Sequence, residues 1–420
     1  MSIFQTRRST AAPAENNRAK TAIPGSGRLA GKAQGRLSIR RLGASAGNGP
    51  GSVIVSLVIL ICVFQSLDSH FLAPQNITNL MLQSSAVGVM AVGVVLVLLI
   101  GEIDLSVGAM SGVAGALLGQ LYTQMHLNAG IAILLVLVLA LAWGTLHGLI
   151  VTFFRLPAFV VTLAALITLE GIQIVLLGPT VTINFAYDGG VVQLTSTFFS
   201  HTVGWLVAAA ALAIFVVGRL LHVRRLRRGG LTVPRPGKLI ATVSAVGIVL
   251  FGAVWIFNQD RGLPLAVVLF VGVVVAFDLV IRSTVYGRHV MAVGGDAEAA
   301  RRTGVAVQRV RISIFAMGSC LAAFGGILAA SRLLAATGSA GSGNVLIDAI
   351  AAAVIGGTSL FGGRGTVYSA LLGILVIGSI SNGMDLLNLS AAAELIITGP
   401  VLALAVISDA LVRRGRRAAR

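Results

Sequence analysis

Residues 263–305 read LPLAVVLFVGVVVAFDLVIRSTVYGRHVMAVGGDAEAARRTGV, and this stretch decides what kind of molecule the chain forms. Its first part, 263–281, is apolar except for Asp278. That is close to the ~20 predominantly apolar residues a helix needs to cross a bilayer. The remainder turns polar, with Arg282, Arg288, Arg301 and Arg302. A chain written this way crosses lipid and then emerges from it. Asp278 precedes Arg282 by four residues, the helical spacing of an ion pair at the lipid boundary.

The polar part has its own local grammar. Gly294-Gly295 reads as a breaker, Asp296 as an N-cap and Ala297 to Thr303 as about two helical turns, with Gly304 where a C-terminal glycine belongs. Glu298 can pair with Arg302 at i,i+4, and Arg301 and Arg302 sit at the negative end of the helix dipole. A helix this short is marginal in water, so something must hold it. The residues leave open whether that is the rest of the loop or a docking partner.

The same alternation continues in both directions. The 420 residues are 56% hydrophobic and 11% charged, with a mean hydropathy of +0.94, well outside the range of soluble domains. Apolar runs fall near 52–67, 84–101, 105–122, 129–152, 158–178 and 203–221, then 239–257, 263–281, 311–331, 345–361, 366–385 and 393–412. The first is short, 105–122 is glycine-rich, and 345–361 runs into GGTSLFGGRG. Ten spans with one or two broken or re-entrant helices therefore fit as well as twelve. The expected fold class is an all-α polytopic membrane protein with 10–12 transmembrane helices.

The net charge of +17 gathers in four patches, 1–50, 222–238, 282–311 and 413–420, rather than over a soluble face that would suggest nucleic acid. Lys and Arg collect in cytoplasmic loops, so the four patches, both termini included, are expected on the cytoplasmic side, which requires an even number of spans. The polar connections near 179–202 and 332–344 then face outward. Residues 1–50 read as a disordered basic tail that sets topology or touches anionic lipid. Residues 51–412 form the transmembrane domain with a cytoplasmic loop at 282–311, and 413–420 are a second basic tail. No signal-peptide pattern precedes the first apolar run, which is expected to be retained.

Catalytic and nucleotide-binding patterns do not occur: there is no G-x-x-x-x-G-K-[ST], no H-E-x-x-H and no closely spaced His/Cys set. Cys62 and Cys320 lie far apart inside apolar runs and suggest neither a disulfide nor a metal site. Any ATP hydrolysis belongs to another polypeptide.

Ionisable groups inside apolar runs are costly, roughly 2.5–3.5 kcal/mol at mid-bilayer. Glu102 and Asp104, in LLIGEIDLSVGAM, read either as polar groups of a broken helix beside a translocation path or as a tight cytoplasmic turn capped by Asp104. Glu170, in LITLEGIQIVLL, reads as a path carboxylate or as one buried against a neighbouring helix for packing. Ser106, Asn344, Asp348, Thr358, Ser359 and Asn382 complete the path candidates. Gly108, Gly112, Gly115 and Gly119 share one helix face on which another backbone can approach, and GGTSLFGGRGT at 356–366 is too rich in glycine for a straight helix. Ile100–Gly108 and Ile355–Gly363 share Ile, Gly, Leu and Gly at equal spacing, and each is followed by ALLG, a candidate internal repeat of the kind that halves many transporters.

YGRHVMAVGGDAEAARRTGV at 286–305 resembles the cytoplasmic loop of permease subunits from bacterial sugar ABC importers of the ribose/xylose/galactose type. GEIDLSVG, VIGGTSLFGGRGTV and PAFVVTLAALITLEGI resemble that family's signatures, and the resemblance runs from about Ile54 to Val412. It implies the ABC importer permease fold in the bacterial inner membrane and a non-catalytic subunit forming the path for a monosaccharide, D-xylose first. The implied partners are a separate ABC ATPase, which holds ATP and Mg while this chain binds no cofactor, a periplasmic or lipid-anchored sugar-binding protein, and a second permease copy. Membrane lipid surrounds the chain, and nucleic acid is not a partner. Under this resemblance Gly294, Gly295, Asp296, Glu298, Ala299, Ala300, Arg301, Arg302 and Gly304 form the coupling helix that docks on the ATPase. An ion-coupled secondary transporter using Glu102, Asp104 and Glu170 is the alternative.

Overall fold

Most of the apolar runs become helices in the computed structural model, which describes residues 50–400 and 403 apart from 234, 391 and 394. The helices are α1 (Pro50–Leu67), α2 (Pro74–Leu99), α3 (Val107–Gly119), α4 (Ala129–Phe153), α5 (Ala158–Leu177), α6 (Gln193–Ser196), α7 (His201–Arg228), α8 (Pro236–Asn258), α9 (Leu265–Ser283), α10 (Val285–Gly295), α11 (Ala297–Arg302), α12 (Val307–Leu333), α13 (Asn344–Ile355) and α14 (Tyr368–Leu386). A turn of π-helix, Gln120–Gln124, prolongs α3. Eight of them, α2, α4, α5, α7, α8, α9, α12 and α14, are long and apolar enough to cross a membrane, whereas α1 and α13 are apolar but shorter. Residues 395–400 of the last apolar run are helical; residues 1–49 and the C-terminal basic tail lie outside the described residues.

Local chemistry explains many of the boundaries. Pro74 and Pro236 open α2 and α8, where a missing N–H costs nothing. The Asn128 side chain caps α4 by accepting from the Gly130 N–H at 2.9 Å. Gly178, at φ +70°, ends α5 in a conformation that other residues rarely adopt.

Two small ribbons sort the connections between the two ends of the bundle. β1 (Thr182–Asn184) pairs antiparallel with β4 (Ala335–Thr337), and β2 (Phe198–Phe199) with β3 (Leu263–Pro264). The segments 179–202, 258–264 and 332–344 thus gather at one end. From the β2–β3 ribbon α7 runs to Arg228 and α9 to Ser283, so the arginine-rich connections share the opposite, basic end.

The core is held by backbones in close approach. α2 and α12 sit at its centre, with Met90, Leu96, Ile314 and Phe315 fully buried. A Cβ on Gly93 would lie 3.0 Å from the Gly318 carbonyl, and Gly326 leaves no room for one against the Ser111 backbone. Small residues at these crossings let helices pack by dispersion where lipid supplies no hydrophobic drive. The glycine face of α3 is used as its spacing predicts: Gly108 and Gly112 meet the carbonyls of Gly341 and Ala340, and Gly119 meets Ile183. The run of turns after β4, residues 338–343, therefore dips along α3 to its first turn. As a result α13, twelve residues long, starts beside the first turn of α3, with Leu346 against Gly108.

Candidate translocation path and coupling loop

The loop between α9 and α12 is built as two helices. Thr284 caps α10 by accepting from the Gly287 N–H at 3.1 Å, and the Tyr286 hydroxyl meets Ser313 Oγ at 2.7 Å, tying α10 to α12. Burial pushes the Tyr286 phenol above its usual pKa, against the opposing effect of the Ser313 hydrogen bond. α11 has the predicted caps: Asp296 Oδ1 accepts from the N–H groups of Glu298 and Ala299, each at 3.0 Å, and Gly304 sits at φ +88°. Glu298 binds Arg302 at 3.4 Å as expected, and Arg301 more closely at 2.6 Å. Ala300 is the buried anchor of α11, while Glu298, Ala299, Arg301 and Arg302 are exposed.

Gly294-Gly295 does not break the chain as the dipeptide suggests. Both residues are the last turn of α10, and the break comes at Asp296. The reason is tertiary. Gly294 lies against the Leu99 carbonyl at the end of α2, where a Cβ has no room, and the same Cβ would stand 2.6 Å from the Gly363 N–H. The Gly363 N–H in turn donates to the Leu99 carbonyl at 2.9 Å, and Gly362 packs against Gly101. Three turns, 99–106, 294–296 and 356–367, therefore meet backbone to backbone at the basic end. Gly357, Gly362, Gly363 and Gly365 all have positive φ, so the third turn is a loop rather than a kinked helix. The stretches that echo each other in sequence, Ile100–Gly108 and Ile355–Gly363, are two of these turns, each leading into a helix that carries its ALLG.

Around this junction the polar candidates divide. Glu102 Oε1 pairs with Arg311 of α12 at 3.0 Å. Burial raises the Glu102 pKa, and the Arg311 charge offsets part of that rise. Asp104, 4% exposed, accepts from both the N–H and the hydroxyl of Ser106, at 2.8 and 2.6 Å, and so shapes the turn from which α3 starts. Thr162 of α5 supports it by accepting from the Leu105 N–H at 3.1 Å. The tight turn of the second reading is present, but α3 begins at Val107 with Ser106 at its N-cap, so Asp104 braces the turn and does not cap the helix. Asp104 also faces His147 of α4, which is buried beside Trp143. Thr358 and Ser359 are buried in the third turn.

The remaining candidates lie elsewhere. Asn344 and Asp348 are half-buried at the start of α13. Asn382 exchanges two hydrogen bonds with Asn76, at 2.8 and 3.0 Å, joining α14 to α2 near the ribbon end. Sequence reasoning missed this partner, 306 residues away, because no local signal marks it. Gln173 of α5 was also missed: it is buried, and its Nε2 donates to the carbonyls of Thr337 and Ala340 at 2.8 and 3.0 Å, holding the dipping segment. Glu170 corrects the packing reading. Instead of lying buried against a neighbour it is exposed well along α5, on a helix whose Ile167 and Val175 are also exposed. The path candidates thus form one cluster at the basic end, a half-helix start, an amide pair and an unpartnered helix face. Among the described residues no group of His, Cys, Asp and Glu could hold a metal ion.

Comparison with known proteins gives this arrangement its context. Residues 76–406 match the family described as branched-chain amino acid transport system / permease component. The xylose transport system permease protein of Escherichia coli K12 is 33% identical over 366 residues, covering 86% of this chain and 92% of the relative. Its Haemophilus influenzae counterpart is 32% identical over 358 residues, 85% and 95% of the two chains. The ribose import permease protein of E. coli K12 is 31% identical over 356 residues, 85% and 92%. No solved structure matches. A basic-ended bundle of apolar helices, a capped loop helix and a match over most of the chain converge on one conclusion: the chain belongs to the permease-component family of transport systems and is a multi-pass membrane subunit.

Proposed function

We propose that this chain is the permease of an ATP-driven monosaccharide importer, with D-xylose as its sugar. The similarity to xylose permeases over more than four-fifths of the chain carries the substrate reading, with ribose the second choice on similarity to the ribose permease. The basic end faces the cytoplasm, where α11 docks on a separate ATPase. Its exposed Glu298, Ala299, Arg301 and Arg302 are available to a groove, and the turn beneath is locked to the end of α2 and to the 356–367 loop. Movement of α11 then reaches the spans through Gly294, Leu99 and Gly363 without passing through flexible side chains.

The sugar path runs between two copies of the chain along the α5 face that carries Glu170. The supporting observation is energetic: a carboxylate exposed to hydrocarbon at mid-span costs roughly 2.5–3.5 kcal/mol, and a polar path or a partner helix removes that cost. A periplasmic or lipid-anchored binding protein delivers the sugar at the ribbon end.

Purification of the C-terminally tagged chain from native membranes tests this reading. Expected is recovery of a P-loop ATPase whose hydrolysis rises with the binding protein and xylose. Uptake driven by an ion gradient without ATP would overturn it. A rise with ribose alone would retain the importer and replace the sugar.

A further inference from the structure

The hairpin of α7 and α8 contains a charged cleft that neither the sugar path nor the coupling loop uses. A cavity of about 230 Å³ opens between the foot of α7 and the head of α8, lined by Arg219, His222, Val223, Lys238, Leu239 and Thr242. From His201 to Gln259 the chain contains no Asp or Glu. Among the described residues, neither Arg219 nor Lys238 has a salt bridge: Arg219 lies over the Phe215 ring at 5.2 Å, and Asp278 of the adjoining α9 is bound by Arg282 at 2.8 Å. The cleft is thus cationic and uncompensated.

Its depth is fixed by two independent lengths. A span needs about 20 residues. Counted from His201 along α7, that length ends near Arg219 and His222; counted back from Asn258 along α8, it ends near Lys238. The cations therefore sit at the level of lipid head groups. Leu220 and Leu221 beside them, and Val217 and Ile240 one step deeper towards the middle of the span, are 45–65% exposed and supply apolar surface next to the charges. The N-terminus of α8 turns the positive end of its dipole to the same cleft, although Pro236 has no N–H and those of Lys238 and Leu239 donate to the Arg235 carbonyl at 3.0 and 3.3 Å.

We infer that this cleft is a binding site for an anionic phospholipid: its phosphate is held by the side chains of Arg219 and Lys238, and its acyl chains lie along the exposed faces of α7 and α8. A soluble anion would use the charges but not the apolar face. An acidic protein surface would not need charges recessed at the lipid boundary, since Arg224, Arg225, Arg227 and Arg228 project beyond it. The inference is independent of the sugar and of ATP coupling.

The test is native mass spectrometry of the full-length chain purified in neutral detergent with equal amounts of phosphatidylglycerol and phosphatidylcholine. Phosphatidylglycerol is expected to be retained in preference. Near a membrane surface each Lys or Arg contributes about fivefold in binding, so R219Q/K238Q should lower phosphatidylglycerol retention by about 25-fold. R227Q/R228Q removes the same charge outside the cleft and should leave retention nearly unchanged, and R219K/K238R should restore it. Single R219Q and K238Q variants, each at an exposed position, supply the test should the double variant not fold. Equal retention of the two lipids, or equal loss in both double variants, would overturn the site. Displacement of phosphatidylglycerol by millimolar inorganic phosphate would replace the lipid by a soluble anion. Unchanged lipid retention with loss of a co-purifying protein would replace it by a protein contact.

Discussion

α2 and α7 are similarly apolar, yet 89% of the apolar window of α2 is buried in the protein and only 6% of that of α7. Hydropathy marks both as spans and cannot tell them apart. Their glycines can. In α2, Gly88 faces the Phe270 ring and Gly93 the Gly318 backbone, whereas Gly218 of α7 and Gly252 of α8 have open space around them. In a bilayer a helix enters the centre of a bundle because its neighbours can come close, and it stays outside when its bulky side chains are satisfied by lipid. The interior should therefore be broken by added methyl groups, and the hairpin should not.

The sharpest form of that contrast is Gly326→Leu against Gly218→Leu. Gly326 touches the Ser111 backbone, which cannot yield as a side-chain tip can. Overpacking there is expected to cost about 3 kcal/mol or more, enough to lose folded protein in size-exclusion profiles and thermal melts. Gly218→Leu should melt within a degree or two of the parent, by about 0.5 kcal/mol at most. Equal losses in the two variants would end the claim that close approach defines the interior.

Asp104 extends the comparison to a buried polar group, a kind of residue the α7–α8 hairpin lacks. Asp104→Ala removes the acceptor of two hydrogen bonds from Ser106 and should cost about 2 kcal/mol. Asp104→Asn keeps a side-chain oxygen and should recover most of that in the same melts. If Asp104→Asn is as damaging as Asp104→Ala, the carboxylate charge beside His147, and not the turn, is what the site requires.

Adjacent glycines give the next contrast at a single turn. Gly294 is pressed against Leu99 and Gly363, whereas a Cβ on Gly295 would have nothing within 4 Å. With the ATPase partner present, Gly294→Ala should lower sugar-stimulated hydrolysis by on the order of tenfold, as expected when a contact shifts by a fraction of an ångström. Gly295→Ala should leave it near the parental rate. Loss of activity in both would place the effect in the docking surface of α11 and not in its anchorage.

These contrasts also show what sequence could and could not reveal. The spans, the caps of α11 at Asp296 and Gly304, and the Asp278–Arg282 pair at 2.8 Å are local facts, set by residues within one or two helical turns of each other. They were legible for that reason. The role of Gly294 depends on Leu99 and Gly363, that of Asn382 on Asn76, and the start of α13 beside α3 on the fit of Gly341 against Gly108. Glycine spacing announced that something would approach α3, but not that it would be the segment after β4. Glu170 was legible as an anomaly, and its exposure follows only from which face of α5 is packed.

The smallest expected effect concerns the ion pair that links the first turn of the junction to α12. Glu102 and Arg311 are partly exposed, 16% and 30% at their side chains, so the pair itself contributes about 0–1 kcal/mol. Its signature is the direction of a pH dependence. Burial raises the folded-state pKa of Glu102 above its ordinary 4.5, with Arg311 lowering it less. The folded protein therefore holds this proton more tightly than the unfolded chain does. The resulting stabilisation is fully present below pH 4.5 and is lost as the pH rises through the raised folded value. Melting temperature measured against pH from that window upward should thus fall with a shallow component that Glu102→Gln removes, since glutamine does not titrate. Arg311→Gln should instead move the same component to higher pH, because it leaves the burial and takes away the opposing charge. A slope of the opposite sign would mean that Arg311 outweighs burial and that the pair, like the glycines around it, holds the junction closed at neutral pH.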